Sequence, residues 1–327
     1  MPSMNTANVT GGGFEILLGA VREVYSAEIA FQALPNLRFD QFATRKTELG
    51  QQPGASITIP KFGDVKRGGK LSESVRLDTR TMNMSTISLT VSEVGNAIAM
   101  TERLLQTSFY DNMAGASMML GRDMAVVLDM ELRDAARAAT NKVYGGGKGS
   151  RVALASGDVF TTVQVIEASE QLEIQNAPKF GNDFYVCFAH PKQLSKLRQS
   201  AGWINANHYA GAQPIFFGEV GRFNDVRFVS TSMMPNGFNN AVNAAGDFAD
   251  PGFDNLLRSG VASNATHIYQ ALMFGEYSYG HAEALPVELR DNGVQDFGRE
   301  HALAWYAIWG SGLVENNNIV TIETSGV

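Results

Sequence analysis

The chain has 327 residues, of which 26 are basic and 33 acidic, so its formal net charge is −7. This length is ample to bury a hydrophobic core without disulfides, and a single cysteine excludes a disulfide framework within one chain. An acidic chain without a long basic block does not favour sequence-specific binding of nucleic acid. Since no apolar run approaches the roughly 20 residues that cross a bilayer, we expect no membrane association.

The first 50 residues predict a polar start, a helix and an extended segment. Residues 1–13 are polar and rich in glycine, whereas apolar residues recur at helical spacing over residues 14–34. The helix is predicted to end at Leu34, because a residue that precedes proline disfavours the helical region. Leu37 and Phe39 then alternate with polar residues, as in an extended arm.

Residues 51–93 predict one long β-hairpin. Apolar and small polar residues alternate on both sides of a basic, glycine-rich tip that contains Lys66, Arg67 and Lys70. The methionines before Ile87 lie out of phase with the later apolar residues, so we expect a β-bulge there. A hairpin with so few apolar residues is not stable alone in water. We expect it to lie on a neighbouring subunit, since its own domain offers no obvious surface.

Residues 109–144 predict a long helix, because apolar residues recur in steps of three or four through a stretch without proline. Asp111 is a candidate N-cap, and Asp129 and Arg133 have the spacing of a favourable ion pair. The three glycines that follow Tyr144 are expected to end the helix. A helix this long needs a sheet or another element along it. Taken alone, it also fits the core of an unrelated α+β enzyme.

The second half of the chain mixes helices and strands without a βαβ repeat, which favours an α+β fold. Helices are predicted at residues 161–174 and 191–198, with Val163, Ile166 and Leu172 on the buried side of the first. Strands are predicted at residues 184–190, 226–230, 268–274, 286–290, 301–309 and 318–324. Residues 232–265 are rich in Asn, Gly, Ala and Ser and predict a surface insertion.

No residue pattern predicts a catalytic, cofactor or metal site. The five histidines lack the spacing of a zinc motif, and a structural hydrogen bond is expected for His190 at a strand end. Cys187 lies in an apolar strand, which raises the pKa of a thiol. The glycine-rich segment after the long helix lacks the Ser or Thr that follows lysine in a phosphate-binding loop. Glu131 and Asp134 lie on a helix face and are expected to be solvated. We therefore predict that the chain is not an enzyme.

Residues 190–231 carry a resemblance to a known family. The motifs, in order, are His190-Pro191, Leu197-Arg198, Trp203, Gly218-Glu219-Val220-Gly221 and Arg227-Phe228-Val229. With Ala33-Leu34-Pro35-Asn36-Leu37 before them and Leu272-Met273-Phe274-Gly275 after them, the ordered set resembles the N-four-like coat-protein family. These are major capsid proteins of tailed double-stranded-DNA bacteriophages. The turn Phe223-Asn224-Asp225 departs from the family pattern, because it lacks a glycine often found there.

The resemblance implies the Hong Kong 97-type capsid fold, an α+β fold in which extended elements reach between subunits. It implies an N-terminal arm at residues 1–50, an extended hairpin loop at 51–94, a peripheral domain at 95–149 and 285–327 with a spine helix at 109–144, and an axial domain at 150–284. Only 18% of the residues are charged, which fits a surface buried between subunits.

The resemblance also implies a function. The chain is expected to be a major capsid protein that self-assembles through pentamers and hexamers into an icosahedral head around double-stranded DNA, without sequence-specific DNA binding. It would belong to the virion and assemble in the bacterial host cytoplasm with a separate scaffolding protein and a portal; a decoration or cement protein is a further candidate partner. No catalytic, cofactor or metal residues are predicted.

Two groups of residues are candidates for contacts between subunits. Basic residues at the hairpin tip would meet an acidic neighbour, and apolar residues of the arm would meet another subunit: Lys66, Arg67 and Lys70, and Phe31, Leu37 and Phe39. Two alternatives remain open from the sequence. One is an encapsulin-like nanocompartment shell that packages an enzyme, and the other, from a different class, is a soluble α+β hydrolase.

Overall fold

The computed structural model describes residues 37–47, 56–62, 70, 79, 81–108, 112–181, 183–200, 203, 219–234 and 268–325. The predicted helix at residues 14–34 lies outside this part of the chain, as does all but the first three residues of the predicted insertion. None of the helices within it is long and apolar enough to cross a membrane.

Helices and strands occur in separate runs along much of the described chain, as the α+β prediction requires. The first half contains β1 (Thr44–Lys46), β2 (Ser56–Phe62), β3 (Met84–Thr90), β4 (Ser92–Thr101), α1 (Glu102–Thr107) and α2 (Asn112–Arg137). The second half contains β5 (Lys142–Tyr144), α3 (Thr162–Ile174), β6 (Tyr185–Ala189), α4 (Pro191–Arg198), β7 (Glu219–Phe223), β8 (Val226–Ser230), β9 (Ile268–Phe274), β10 (Tyr279–Gln295), β11 (Glu300–Leu313) and β12 (Ile319–Ser325).

Two sheets form the body of the subunit. The first has four strands in the order β1-β10-β11-β4, and the second has six in the order β5-β12-β9-β6-β8-β7. Strands β10 and β4 both run antiparallel to β11, while β1 pairs with β10 in parallel. Strands β2 and β3 pair only with each other and form a separate hairpin. Every strand predicted in the second half of the chain is therefore present in one of the two sheets.

The six-stranded sheet is covered on both faces. Its central strands β6, β9 and β12 are buried at every position, as expected for strands with apolar residues on both sides. One face, with Val186 and Leu272, packs toward α2 and belongs to the same core as Leu132. The opposite face, with Cys187, shares a second core with Leu172 of α3. This sheet is therefore the interior of the subunit.

The long helix α2 is shorter than predicted. It has 26 residues and spans about 39 Å. It ends at Arg137, so the prediction that it continues to residue 144 is wrong. The amide of Thr140 donates to the side-chain oxygen of Asn316 at 2.8 Å, and β5 pairs in parallel with β12. Partners more than 170 residues away therefore convert the predicted last turns into a strand. The candidate cap Asp111 lies outside the described residues.

The hairpin forms as predicted, but without the predicted β-bulge. Strands β2 and β3 pair continuously from Ser56 opposite Thr90 to Phe62 opposite Met84. Met84 simply lies on the opposite face of the strand from Ile87, since successive side chains of a strand alternate. The out-of-phase methionines therefore mark the second face of the hairpin and not a change of register.

Helix α3 begins as predicted but buries a different face. Thr161 and Gln164 form a reciprocal capping box at its start. Val163 and Ile166, predicted to point inward, are 55% and 46% exposed, whereas Leu172 is buried. The helix carries two apolar stripes, and the inward one continues from Val165 to Leu172. Helical periodicity alone could not choose between the two stripes.

The departure from the family pattern at residues 223–225 has a local explanation. Asn224 and Asp225 adopt positive φ angles of 48° and 58° in the two-residue turn between β7 and β8. Such hairpin turns require the left-handed region at both central positions, and Asn and Asp tolerate it better than other residues with a side chain. The turn therefore forms without glycine.

Candidate assembly surfaces

The segment at the start of the described chain is anchored in the core. It is not extended as predicted, because Asp40–Phe42 form a short 3-10 helix. Phe39 is fully buried and its ring centroid lies 4.3 Å from that of Phe188. The hydroxyl of Tyr279 donates to the carbonyl of Phe39 at 2.7 Å, and Leu37 packs at the edge of the same core. Phe39 thus lies within its own subunit and not at its predicted place between subunits. Phe31, the third apolar candidate of the arm, lies outside the described residues.

A carboxylate of the long helix holds this arm segment in place. One oxygen of Asp129 accepts hydrogen bonds from the amides of Arg38 and Phe39, both at 2.9 Å. Burial raises the pKa of Asp129 to about 6, although the two amides act in the opposite direction. The guanidinium of Arg133, the predicted ion-pair partner, donates to the carbonyl of Met233 at 2.7 Å. Asp129 therefore serves as a clamp between helix and arm, a role that helical spacing did not indicate.

Two tryptophans join helix α2 to the four-stranded sheet. The indole nitrogen of Trp305 donates to Asp123 at 2.9 Å, and that of Trp309 donates to Glu131 at 2.8 Å. The two indole rings stack with centroids 5.7 Å apart. Eight residues of helix rise about 12 Å and four residues of strand about 13 Å, so both bonds form in one register. This pair of bonds is called the tryptophan seam below.

The seam corrects the prediction that Glu131 is solvated. Burial raises the pKa of the Glu131 carboxyl, and the bond from Trp309 lowers it by less. Asp134, its predicted partner, does remain half-exposed. The sequence held a usable signal, because Trp305 and Trp309 lie on one side of a strand and Asp123 and Glu131 on one side of a helix.

The base of the hairpin rests on its own subunit. Ile57 and Leu89 are buried at 7% and 2% exposure, and both pack against strand β10. A side chain at Gly312 of β11 would lie 2.5 Å from a methyl carbon of Leu89, so this glycine makes room for it. Further along β2, Lys61 next to Phe62 forms an ion pair with Glu315, so contact with the subunit's own body extends beyond the base. The expectation that the subunit offers the hairpin no surface is therefore wrong for its base.

The outer half of the hairpin has a different character. Phe62, Met82 and Met84 are 60%, 67% and 59% exposed. The exposure of three large apolar side chains to water on a two-stranded projection is unfavourable in an isolated subunit. Of the predicted basic contacts, Lys70 is exposed, and Lys66 and Arg67 lie outside the described residues.

The described residues offer little reactive chemistry. Cys187 is fully buried, and burial raises the pKa of its thiol. The ring of His190 accepts from the amide of Lys192 at 3.2 Å at the start of α4, and burial lowers its pKa to about 4. This is the structural hydrogen bond that the sequence predicted. Within the described ranges, no group of three or more His, Cys, Asp or Glu side chains is arranged to hold a metal ion.

An anchored arm, a projecting hairpin and a long helix laid along a sheet are the parts of a capsid shell subunit. The model of the phage capsid protein family matches residues 129–312. This match covers more than half of the chain, and the chain belongs to the phage capsid protein family. It is a structural protein of the virion and not an enzyme, as predicted.

Solved capsid structures share the fold across nearly the whole chain. The capsid of Ralstonia phage GP4 is 18% identical, with a TM-score of 0.67 over 88% of this chain and 91% of that one. The capsid of cyanophage Pam1 is 14% identical, with a TM-score of 0.66 over 86% and 88%. That of cyanophage P-SCSP1u is 15% identical, with a TM-score of 0.64 over 88% of each. No curated protein matches the chain.

These similarities confirm the predicted Hong Kong 97-type fold. The match to the phage capsid protein family confirms the predicted role of a major capsid protein that self-associates into the shell of a phage head. The soluble hydrolase is excluded by the family.

Proposed function

We propose that this capsid protein assembles through pentamers and hexamers into an icosahedral head that encloses double-stranded DNA. The observation that carries the proposal is the contrast within the hairpin, whose base is seated on its own subunit while Phe62, Met82 and Met84 project from it uncovered. Burying each such side chain on a neighbour would contribute about 1.5–3 kcal/mol. Several such contacts per subunit would close a shell although each one is weak.

The proposed division of labour follows the chain. Residues 1–50 act as the arm and residues 51–94 as the extended loop, residues 95–149 and 285–327 form the peripheral domain, and residues 150–284 form the axial domain around the local symmetry axes. The two sheets support a body of two parts. Strands β5 and β12 come from the peripheral ranges but belong to the six-stranded sheet, so the two proposed domains share strands.

In this proposal, the shell encloses the DNA without recognising its base sequence. A formal net charge of −7 disfavours tight wrapping of a polyanion, and the head holds DNA because the shell is closed. Assembly in the bacterial host cytoplasm, with a separate scaffolding protein and a portal, is part of the proposal. A decoration or cement protein on the finished head is a further proposed partner.

Electron microscopy of the expressed chain tests the proposal. Whether the chain is expressed alone or together with the phage proteins encoded beside it, we expect closed shells or rings of five and six subunits. A well-behaved monomer under every condition would contradict the proposal. Particles from an infected host should contain double-stranded DNA, whereas particles that hold an enzyme and no DNA would favour the nanocompartment alternative.

The hairpin contrast has its own test. Replacing Phe62 and Met84 with serine should leave the unfolding of the isolated subunit unchanged, because both side chains are exposed. The same change should abolish closed shells. Ile174 on α3 is 71% exposed, and Ile174→Ser is the control for loss of exposed apolar area elsewhere. Normal shells from the double variant would show that the hairpin is not an assembly element.

A further inference from the structure

One side of helix α2 is covered along only half of its length. Residues three and four positions apart lie on the same side of a helix. Along α2 they form one row, made of Gly115, Met119, Arg122, Val126, Asp129 and Arg133. In the second half of the row, Asp129 binds the arm segment, Arg133 donates to Met233, and both residues are buried. The first half of the row faces away from the sheets and is not covered by them.

The uncovered half of the row has the composition of a contact surface. Met119 is 65% exposed, and its neighbour Met118 is 42% exposed. Arg122 is exposed and forms no ion pair with the described part of the chain. A Cβ atom at Gly115 would have no atom within 4 Å, although glycine inside a helix costs about 0.5–1 kcal/mol relative to alanine. These four residues are called the Met119 surface below, and another helix can approach its backbone closely at the glycine.

The arm segment enters the described chain beside this surface. The amides of Arg38 and Phe39 are bound to Asp129, which lies in the same row of α2 as the Met119 surface. Only two residues separate Leu37 from the predicted end of the helix at residues 14–34. Such a connection spans about 10 Å even when it is fully extended. The predicted helix therefore ends within about two helical turns of the Met119 surface.

Residues 14–34 carry a pattern that matches the row of α2. Their apolar residues recur in steps of three and four through Leu17, Ala20, Val24, Ala27 and Phe31. The row of α2 has the same alternation of steps, and two helices with this spacing pack side by side along a common seam. From residue 17 to residue 31 a helix rises about 21 Å, which equals the rise of α2 from residue 115 to residue 129. The segment is therefore long enough to cover the Met119 surface.

The charges of the segment also suit this surface. Three glutamates and one arginine give residues 14–34 a formal charge of −2. Glu23 and Glu28 flank the apolar row at the positions that form ion pairs between packed helices. Arg122 supplies the cation on the Met119 surface. Apolar and charged groups are thus complementary on the two sides.

We propose that, in the unassembled subunit, residues 14–34 form a helix that lies on the Met119 surface of its own chain. The apolar row covers Met119, and a glutamate that flanks the row pairs with Arg122. The occupant is the same chain because the two-residue connection keeps the segment at a high effective concentration beside α2. The segment shields the methionines of this surface until subunits assemble. This inference goes beyond the proposed function, since it concerns the subunit before any shell has formed.

Disulfide trapping in the unassembled full chain tests the contact directly. Val24→Cys is combined with Met119→Cys, while the native Cys187 is buried and does not compete. Mild oxidation should link the two positions within one chain, which gives a faster band on a non-reducing gel at every protein concentration. The control combines Val24→Cys with Val163→Cys, a position on α3 that is also exposed, and should stay unlinked. Folded chains that remain unlinked, or that link only to other chains, would overturn the proposal.

Methionine oxidation tests the same contact in the unaltered chain. Met119 and Met82 are almost equally exposed in the described part of the chain, at 65% and 67%. With dilute peroxide, mass spectrometry should show the sulfoxide of Met119 forming about fivefold more slowly than that of Met82, because covered side chains react less. Val24→Glu places a charge in the seam and should remove this protection, whereas Ser26→Glu, on the opposite side of the predicted helix, should keep it.

Equal rates at the two methionines of the unaltered chain, or protection that survives Val24→Glu, would overturn the proposal. Neither experiment requires shells. A chain that forms no shells under any condition would therefore contradict the proposed function and leave the result for residues 14–34 in force.

Discussion

The two sheets of the subunit differ in how many of their faces are covered. In the six-stranded sheet, β6, β9 and β12 are buried at every residue, and a hydrophobic core lies on each side. The four-stranded sheet has one face against α2, while its other face carries exposed residues such as Glu93 and Ala97. Both faces of the first sheet are covered within one subunit, whereas the outer face of the second is exposed in the isolated subunit.

This difference separates stability from assembly. Changes in the six-stranded sheet should unfold the subunit, and changes on the outer face of the four-stranded sheet should leave the fold intact and alter the shell. Changes to the residues that join α2 to the arm and to the inner face of the four-stranded sheet should have an intermediate effect on the stability of the subunit.

The largest loss of stability is expected at Glu323, which is fully buried in β12. Its carboxylate binds the guanidinium of Arg151 at 2.6 Å and accepts from Gln270 at 3.0 Å. Glu323→Ala breaks this ion pair, whose carboxylate is fully buried and whose guanidinium is 23% exposed, and should lower the free energy of unfolding by about 3–5 kcal/mol. Urea unfolding of the unassembled subunit measures this loss. The control Glu288→Ala removes a half-exposed pair and should cost less than about 1 kcal/mol.

Glu323 should also make the free energy of unfolding of the subunit depend on pH. Burial raises the pKa of Glu323, but Arg151, Gln270 and Lys142 outweigh it, so the pKa lies below its ordinary value of 4.5. A lowered folded-state pKa stabilises the subunit at neutral pH, and this stabilisation is lost as the pH falls through that pKa. Unfolding measured from pH 7 to pH 3 should therefore show a loss below about pH 4.5 that Glu323→Gln reduces. An unchanged profile would contradict this assignment.

A smaller effect is expected at the clamp between helix and arm. Asp129→Ala removes the acceptor of two amides and should cost about 2–3 kcal/mol. Asp129→Asn keeps an acceptor and removes the buried charge. Because burial raises the pKa of Asp129 from 3.8 to about 6, the native subunit gains stability from this group as the pH falls between those values. In unfolding experiments at a series of pH values, Asp129→Asn should lack this rise in the free energy of unfolding. If the variant keeps the rise, another group is responsible for it.

The tryptophan seam should matter less again. Trp309→Phe preserves most of the ring but removes the donor to Glu131, so a loss of about 1–2 kcal/mol is expected. Trp305→Phe should behave similarly, and the loss in the double variant should differ from the sum of the two single losses, because the two bonds share one register. Thermal unfolding of the four proteins completes this cycle. Strict additivity would show that the two bonds form independently.

The smallest effect on the isolated subunit is expected on the open face. Glu93→Gln should change the free energy of unfolding by less than about 0.5 kcal/mol, as is usual for an exposed surface position. Assembly of shells from this variant should nevertheless depend less on salt concentration, because the outer face of the four-stranded sheet has lost the charge of Glu93. A destabilised subunit would mean that this face is part of the fold.

Local patterns predicted most of the strands and helices of the second half. The strand at β6, helix α4 with its proline at the first position, and the strand at β9 all have their patterns within a few neighbouring residues. The two strands of the hairpin were also predicted, because apolar and polar residues alternate along both of them, although the expected β-bulge was wrong. The resemblance to phage coat proteins supplied the architecture that joins these elements.

What the sequence did not reveal depends on distant partners. Thr140 stops being helical next to Asn316, and β5 exists only beside β12. The inward face of α3 is chosen by the sheet beneath it, since both of its stripes are apolar. The roles of Asp129 and of the base of the hairpin likewise follow from segments that come together only in the folded chain.

The spacing of the tryptophan seam also has a mechanical consequence. Asp123 and Glu131 are fixed along α2, and Trp305 and Trp309 are fixed along β11, at nearly equal intervals of 12–13 Å by standard geometry. A slide of the helix by one turn would break both bonds at once and offer no new partner in register. Helix α2 and strand β11 should therefore move as one rigid unit. Any change in the curvature of the shell must then take place at the contacts between subunits.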